Sequence, residues 1–129
     1  MTTMKKMRDT SEIMRRFNQA FLQHDPSLLS ELVAQDCVME SIQPAPNGTR
    51  VEGYEACLAF WQALAADRNS NFDIEEVVTA DDRATIRWRF NFGDGQSVRG
   101  VNLMRVRDGK IVEALGYSKV PGEPAPLPR

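Results

Sequence analysis

The chain has 129 residues, 42% hydrophobic and 26% charged, which suits one soluble globular domain. Lys plus Arg number 16 and Asp plus Glu 18, and the formal charge of −2 gives no global pull toward nucleic acid or an anionic membrane. No apolar run approaches the ~20 residues of a membrane span.

The opening MTTMKKMRDT has lysines with no apolar stretch behind them, so it is not read as a secretory signal, and a cytoplasmic location is expected. Residues 1–9 are expected to fray, leaving a single domain over 10–120 and a proline-rich tail over 121–129. Thr10 or Ser11 can cap a first helix, whose apolar residues Ile13, Phe17, Ala20 and Phe21 follow helical spacing to about Gln23. The pattern restarts in HDPSLLSELVAQD, with Asp25 as N-cap, Pro26 at the first position and Leu28, Leu29, Leu32 and Val33 apolar, which predicts a second helix. CVMESI at 37–42 reads as a short strand, QPAPNGTR as a loop, and GYEACLAFWQALAADR at 53–68 as a third amphipathic helix. Four strands follow: 72–79, 83–92, 97–107 and 110–120. Asp94-Gly95 and Asp108-Gly109 are read as two-residue hairpin turns.

Taken literally, those turns set the register. Trp88 then faces Val101, Phe90 faces Arg99 and Leu103 faces Ala114. One sheet face carries Ile86, Trp88, Phe90, Arg99, Val101, Leu103, Val112, Ala114, Gly116 and Ser118. The other carries Arg87, Arg89, Asn91, Asn102, Met104, Glu113, Leu115 and Tyr117. In RWRFNF the cations and rings therefore lie on opposite faces, which argues against a nucleic-acid groove, where both types share one accessible face. The three helices are available to cover the apolar face.

FLQHDPSLLSELVAQDCVMES, VEGYEACLAFW and GVNLMRVRDGKIVEALGYS, with this order of elements, resemble the nuclear-transport-factor-2-like superfamily and, within it, its SnoaL-like branch. The resemblance covers about 10–120. It implies an α+β, cystatin-like, cone-shaped roll: three N-terminal helices packed in a curved, mostly antiparallel sheet around one apolar pocket. It also implies a homodimer through the convex sheet face, where Met104, Leu115 and Tyr117 are expected. Relatives include ketosteroid isomerases, polyketide cyclases, epoxide hydrolases, dehydratases and non-catalytic modules, so the fold does not give the function. Against the isomerases, Phe17 stands where they carry an oxyanion-binding Tyr, Ser41 where they carry the base Asp, and Trp61 where they carry a helix Tyr. Their second donor aligns near Val101 or Asn102. A phenyl ring cannot donate to an enolate and a lone serine cannot take a C–H proton, so steroid isomerisation is not expected.

The candidate pocket is Phe17, Phe21, Ser41, Tyr54, Trp61, Trp88, Phe90, Arg99, Val101 and Ser118. Arg99 is the central candidate: placed on the apolar face, it would bind an anion at the pocket mouth, or else reach water at the sheet end over Phe90. Ser41 is the inward residue of its strand. Glu40 is then outward, and a slip of one residue would make it an inward base. His24, the only histidine, is read as exposed, which leaves no histidine triad or multi-histidine metal site. Cys37 and Cys57 sit in apolar runs as buried free thiols. NGT at 47–49 fits a glycosylation sequon without the secretion signal to use it. No cofactor or metal is expected. Two functions remain open: binding of a small apolar or weakly anionic organic ligand, with isomerase-, cyclase- or dehydratase-type chemistry, or a non-catalytic dimerisation module with a vestigial pocket filled by aromatics.

Overall fold

The first amphipathic segment is longer than its cap signal suggests. In the computed structural model, which describes residues 2–42 and 47–119, helix α1 spans Thr2–Leu22, so Thr10 and Ser11 lie inside it rather than at its start. Thr10 is buried there, and its hydroxyl donates to the Asp81 carbonyl (2.6 Å). Ile13, Met14, Phe17, Ala20 and Phe21 form the buried stripe. The helix ends with Asp25 N–H on Ala20 O (2.9 Å) and His24 N–H on Phe21 O (3.3 Å), which places His24 in the left-handed region at φ 53°. His24 is half-buried, not exposed. A carbonyl only accepts, so its imidazole donates from Nδ1 to Ala65 O (3.0 Å) and ties the ends of the two α-helices together.

The second expected helix is a single 3-10 turn, Pro26–Leu28, so the helices number two, not three. Asp25 caps that turn as read, accepting from Ser27 N (3.1 Å). The chain leaves the helical pattern because Leu32 is already committed to the sheet: its carbonyl accepts from Ile111 N (2.7 Å). One turn suffices to bury Leu29 and Leu32, and strand β1 then runs from Val33 to Ser41, starting four residues before the expected Cys37. Strand β2, Thr49–Glu52, pairs with it where only a loop was read. Four residues are too few for a period-2 pattern to register. Helix α2 (Tyr54–Ala66) and strands β3 (Asn71–Ala80), β4 (Arg83–Asn91), β5 (Ser97–Arg107) and β6 (Lys110–Ser118) fall close to their expected places. The 43–46 part of the expected loop and the 121–129 tail lie outside the described residues.

The strands form one curved six-stranded sheet, ordered β2-β1-β6-β5-β4-β3, in which only the β1–β6 pair is parallel. Helix α1 packs on β3 and β4, and α2 packs on β1 and β2, so both cover the same sheet face. This is the α+β, cystatin-like roll, built with two helices.

Register is where the sequence reading fails. Asn91 pairs with Ser97, Phe90 with Val98 and Trp88 with Gly100. The turn holds one residue more than a two-residue hairpin, because Phe92 N–H closes on Gln96 O (3.0 Å) around Gly93, Asp94 and Gly95. Both glycines have positive φ (88° and 90°). One extra residue exchanges every side chain of β5 between faces. Arg99, Val101 and Leu103 therefore point to the outer face. Val98, Asn102, Met104 and Val106 point inward, with Met104 3% exposed. The Asp108-Gly109 turn is as expected, with Arg107 opposite Lys110, but a bulge follows: Val106 pairs with Ile111 and Arg105 with Glu113. That second one-residue shift cancels the first. Ala114 and Gly116 keep their inward parity, while Val112 falls in the bulge and leaves the inner face.

Candidate functional site

The concave sheet face and helix α2 line a half-open cavity of about 220 Å³. Met39, Ser41 and Ile42 bring β1 to it, Phe60, Trp61 and Leu64 bring α2, and Phe72, Trp88, Phe90 and Phe92 bring the far side of the sheet. Beside it lies a smaller, also half-open chamber of about 50 Å³, lined by Phe17, Asn18, Phe21, Ile74 and Ile86. Trp61, Leu64, Phe72, Trp88 and Asn102 line both spaces and form the wall between them.

The wall is held by ring contacts at favourable edge-on angles. Trp61 meets Phe17 (5.1 Å, 79°), Phe21 meets Phe72 (5.6 Å, 76°) and Phe72 meets Trp88 (5.5 Å, 89°). The series continues through Phe90 to Phe92, which is exposed at the mouth.

Asn102 is the directed polar group. The indole N–H of Trp88 only donates, so the partner at 3.2 Å is the Asn102 amide oxygen, and this fixes the amide's orientation. Among the described residues, that is the one hydrogen bond of the Asn102 side chain, and its NH2 group keeps both donors. Gly116 lies beneath the amide: a β-carbon there would stand 3.2 Å from Asn102 Oδ1.

The structure brings Phe17, Phe21, Ser41, Trp61, Trp88 and Phe90 of the expected lining together around the two spaces, and it places four others elsewhere. Tyr54 instead donates its hydroxyl to Ser30 O (2.8 Å) and lines neither space. Arg99, Val101 and Ser118 line an open groove of about 510 Å³ on the outer face, with Glu75, Arg87 and Lys119. That groove is larger than the cavity, but it is shallow and its central charge is spent. Arg99 binds Glu75 (2.9 Å), and this hydrogen bond holds the Glu75 carboxyl below its usual range against the opposing effect of burial. Glu40 lines the cavity rim, while its carboxylate pairs across the strand with Arg50 (3.0 Å). Among the described lining residues there is no cation. Cys37 and Cys57 are buried free thiols. Burial, with the Cys57 thiol beside it, pushes the Cys37 thiol well up, away from nucleophilic thiolate chemistry.

Asn102 was misplaced and Met39, Ile42, Phe60, Leu64, Phe72, Phe92 and Asn18 were not singled out by the sequence. A signal existed for Asn102. Glycine at 100 is the natural partner for an indole across a strand pair, and Trp88 opposite Gly100 puts Asn102 inside.

Arg99→Leu is expected to raise the Glu75 carboxyl back toward its ordinary range, visible in an NMR titration, and to leave binding in the cone unchanged. Weaker binding of a ligand in the cone would contradict the outward placement of Arg99.

Two helices, a bent six-stranded sheet and an aromatic-lined interior define a protein of the nuclear-transport-factor-2-like class. The SnoaL-like domain profile matches residues 14–114, and the chain belongs to this family. It is similar to an NTF2-like protein of unknown function from Mesorhizobium loti, at 56% identity over 89% of this chain and 94% of that one, with a TM-score of 0.85. A Kribbella flavida protein provisionally named a ketosteroid isomerase shares the fold at 19% identity (95% and 86% covered, TM-score 0.79). So does a Sinorhizobium meliloti protein provisionally named a polyketide cyclase, at 24% identity (82% and 94% covered, TM-score 0.68). No curated protein matches the chain. Among the described residues, no helix is long and apolar enough to cross a membrane.

Proposed function

We propose that the protein binds a small, mainly apolar organic molecule in the interior of its cone. The observation that carries this reading is the cavity of about 220 Å³, walled by aromatic and aliphatic side chains and given direction by one amide. The volume is below the about 300–1,000 Å³ of drug-sized sites, so the ligand is no larger than one or two rings. Base-driven isomerisation of the kind found in relatives has no support at the matching positions. Phe17 has no donor, Ser41 is no base, and the Glu40 carboxylate faces Arg50. The reading is therefore binding first. Arg99 has no part in it, and a weakly anionic ligand loses the group that would have selected it.

Indane, two fused rings without a polar atom, is a suitable probe. Trp61 and Trp88 both line the cavity, so a saturable change in tryptophan emission on adding indane is expected. Its absence up to the solubility limit would exclude the reading.

The outer sheet face supports a homodimer. Leu103 (43% exposed) and Tyr117 (52%) stand there beside Val101 and Leu115, with Leu103 in the place expected for Met104. Leu103→Glu is expected to convert a sedimenting dimer to a folded monomer. A wild-type chain that already sediments as a monomer would dispose of the dimer.

A further inference from the structure

Arg105 stands half-buried on the outer face of β5, and its Nε is closed off from water with no acceptor. Among the described residues its side chain makes no hydrogen bond and no ion pair. Its cross-strand neighbours are Arg83 on β4, which repels it, and Glu113 on β6. Glu113 is also half-buried and, among the described residues, pairs with no cation, although it stands directly opposite Arg105. A buried donor without an acceptor is a net cost to the fold. One charge of each sign therefore lies unspent at one end of an apolar patch. Leu103 and Leu115 form the next outward row, and Val101 and Tyr117 the row beyond it.

We propose that Arg105 and Glu113 pair between two copies of the chain, each guanidinium on the carboxylate of the partner copy, and that this pair sets the register of the two sheets. The proposal rests on the reading of the outer face as a dimer surface. When a face packs on its own copy, the twofold axis lies in the plane between the sheets. Two settings centre that axis on the apolar patch. An axis along the strands, between β5 and β6, lays β5 on the partner's β6. Row by row it sets Leu103 on the partner's Leu115, Val101 on the partner's Tyr117 and Arg105 on the partner's Glu113. Its far end brings Lys119 to the partner's Arg99, whose charge Glu75 already offsets (2.9 Å). An axis across the strands, at the level of Asn102 and Gly116, reverses the rows instead. It sets Arg105 on the partner's Arg99 and Arg83 on the partner's Arg89, with Glu113 on the partner's Lys119 as the one kind of attraction. Like charges face to face are strongly disfavoured, which selects the first setting. The groove of about 510 Å³ agrees with it: Val101 and Tyr117 line that groove, so the partner's Tyr117, set over Val101, enters it. Nε is covered by its own chain, so the guanidinium turns outward to make the pair. It breaks no hydrogen bond in turning, and the carboxylate supplies the acceptor that Nε lacks.

Arg105→Glu and Glu113→Arg test the pairing by sedimentation of the intact chain. In the first variant alone, carboxylates meet carboxylates across the interface, and in the second, guanidiniums meet guanidiniums. Each is expected to sediment as a monomer where wild type is a dimer, with its dimer affinity lowered about a hundredfold. Mixed in equal amounts, the two are expected to form a one-to-one heterodimer within about tenfold of wild-type affinity, resolved from homodimers by native mass spectrometry. A pair made only within one chain cannot produce this result, because each variant keeps its like charges whatever is added to it. Where a reversal does not fold, Arg105→Gln and Glu113→Gln are each expected to weaken the dimer about tenfold. Reversal variants that dimerise alone as well as wild type, or that stay monomeric when mixed, overturn the pairing while the dimer stands, and so do neutral variants without effect. A monomeric wild type removes dimer and pairing together.

Discussion

Gly100→Ala is expected to lower the melting temperature by about 10 °C, a loss of about 3 kcal/mol. Gly100 sits opposite Trp88 in the β4–β5 ladder, and the indole lies across its backbone. A β-carbon at 100 would collide with the Tyr117 carbonyl oxygen and stand 2.5 and 2.6 Å from Trp88 Cη2 and Cζ2. Overpacking against a flexible side chain alone is relieved by a rotamer change. Here one obstacle is β6 backbone and the other is a ring wedged edge-on against Phe72, so neither yields cheaply. Combining Gly100→Ala with Trp88→Leu removes the ring but not the carbonyl, so the double variant is expected to regain only part of what alanine costs beyond the Trp88 change. An alanine variant as stable as wild type would falsify the Trp88–Gly100 register, and with it the inward placement of Asn102.

That register was the part of the structure least legible in the sequence. Helix α2 and the strands from β3 to β6 could be read within a residue or two, because each carries enough apolar repeats to declare its period. The cone shape came from the family resemblance together with this order of elements. Strand parity instead turned on a single residue in a turn. GDG supports both a two-residue Asp-Gly hairpin and a three-residue loop with glycine at each end, and local propensity does not choose between them. Packing chooses. The three-residue loop puts Val98, Met104 and Val106 into the core and sets the indole over glycine, whereas the shorter turn buries Arg99 without a partner. The bulge beyond Asp108-Gly109 then cancels the error, which explains why β6 kept its inward parity while β5 was inverted. The lost second helix has a different origin. Leu28, Leu29, Leu32 and Val33 fit a helix and fit equally a turn leading into a strand, and the deciding bond, Ile111 N–H to Leu32 O, joins residues far apart in the chain.

Trp61→Ala tests whether the two spaces are one binding system divided by a wall. Trp61 is 3% exposed, packs edge-on against Phe17 and lines both the cavity and the smaller chamber. Removing an indole from such a position costs about 3–5 kcal/mol, by lost apolar burial and by the void left behind, and the melting temperature should fall by about 10 °C or more. A void in a core either closes as its neighbours relax or stays open to an apolar molecule. Here the neighbours are already held: Phe72 by Phe21, Trp88 and Phe90, and Phe17 by Phe21. The chambers should therefore merge rather than close. Free indole, which has the shape of what was removed, is expected to restore stability to the variant in a saturable way, by about 2.7 kcal/mol at a hundred times its dissociation constant. Wild type already offers its cavity to a molecule of this size, so the result to read is the gain of the variant beyond that of wild type. Rescue means that the space left by the Trp61 ring stays open and joins the two spaces it lined. A destabilised variant that indole does not rescue would mean that the helices settle onto the sheet when the ring is gone, and the smaller chamber would then have no route to the cavity.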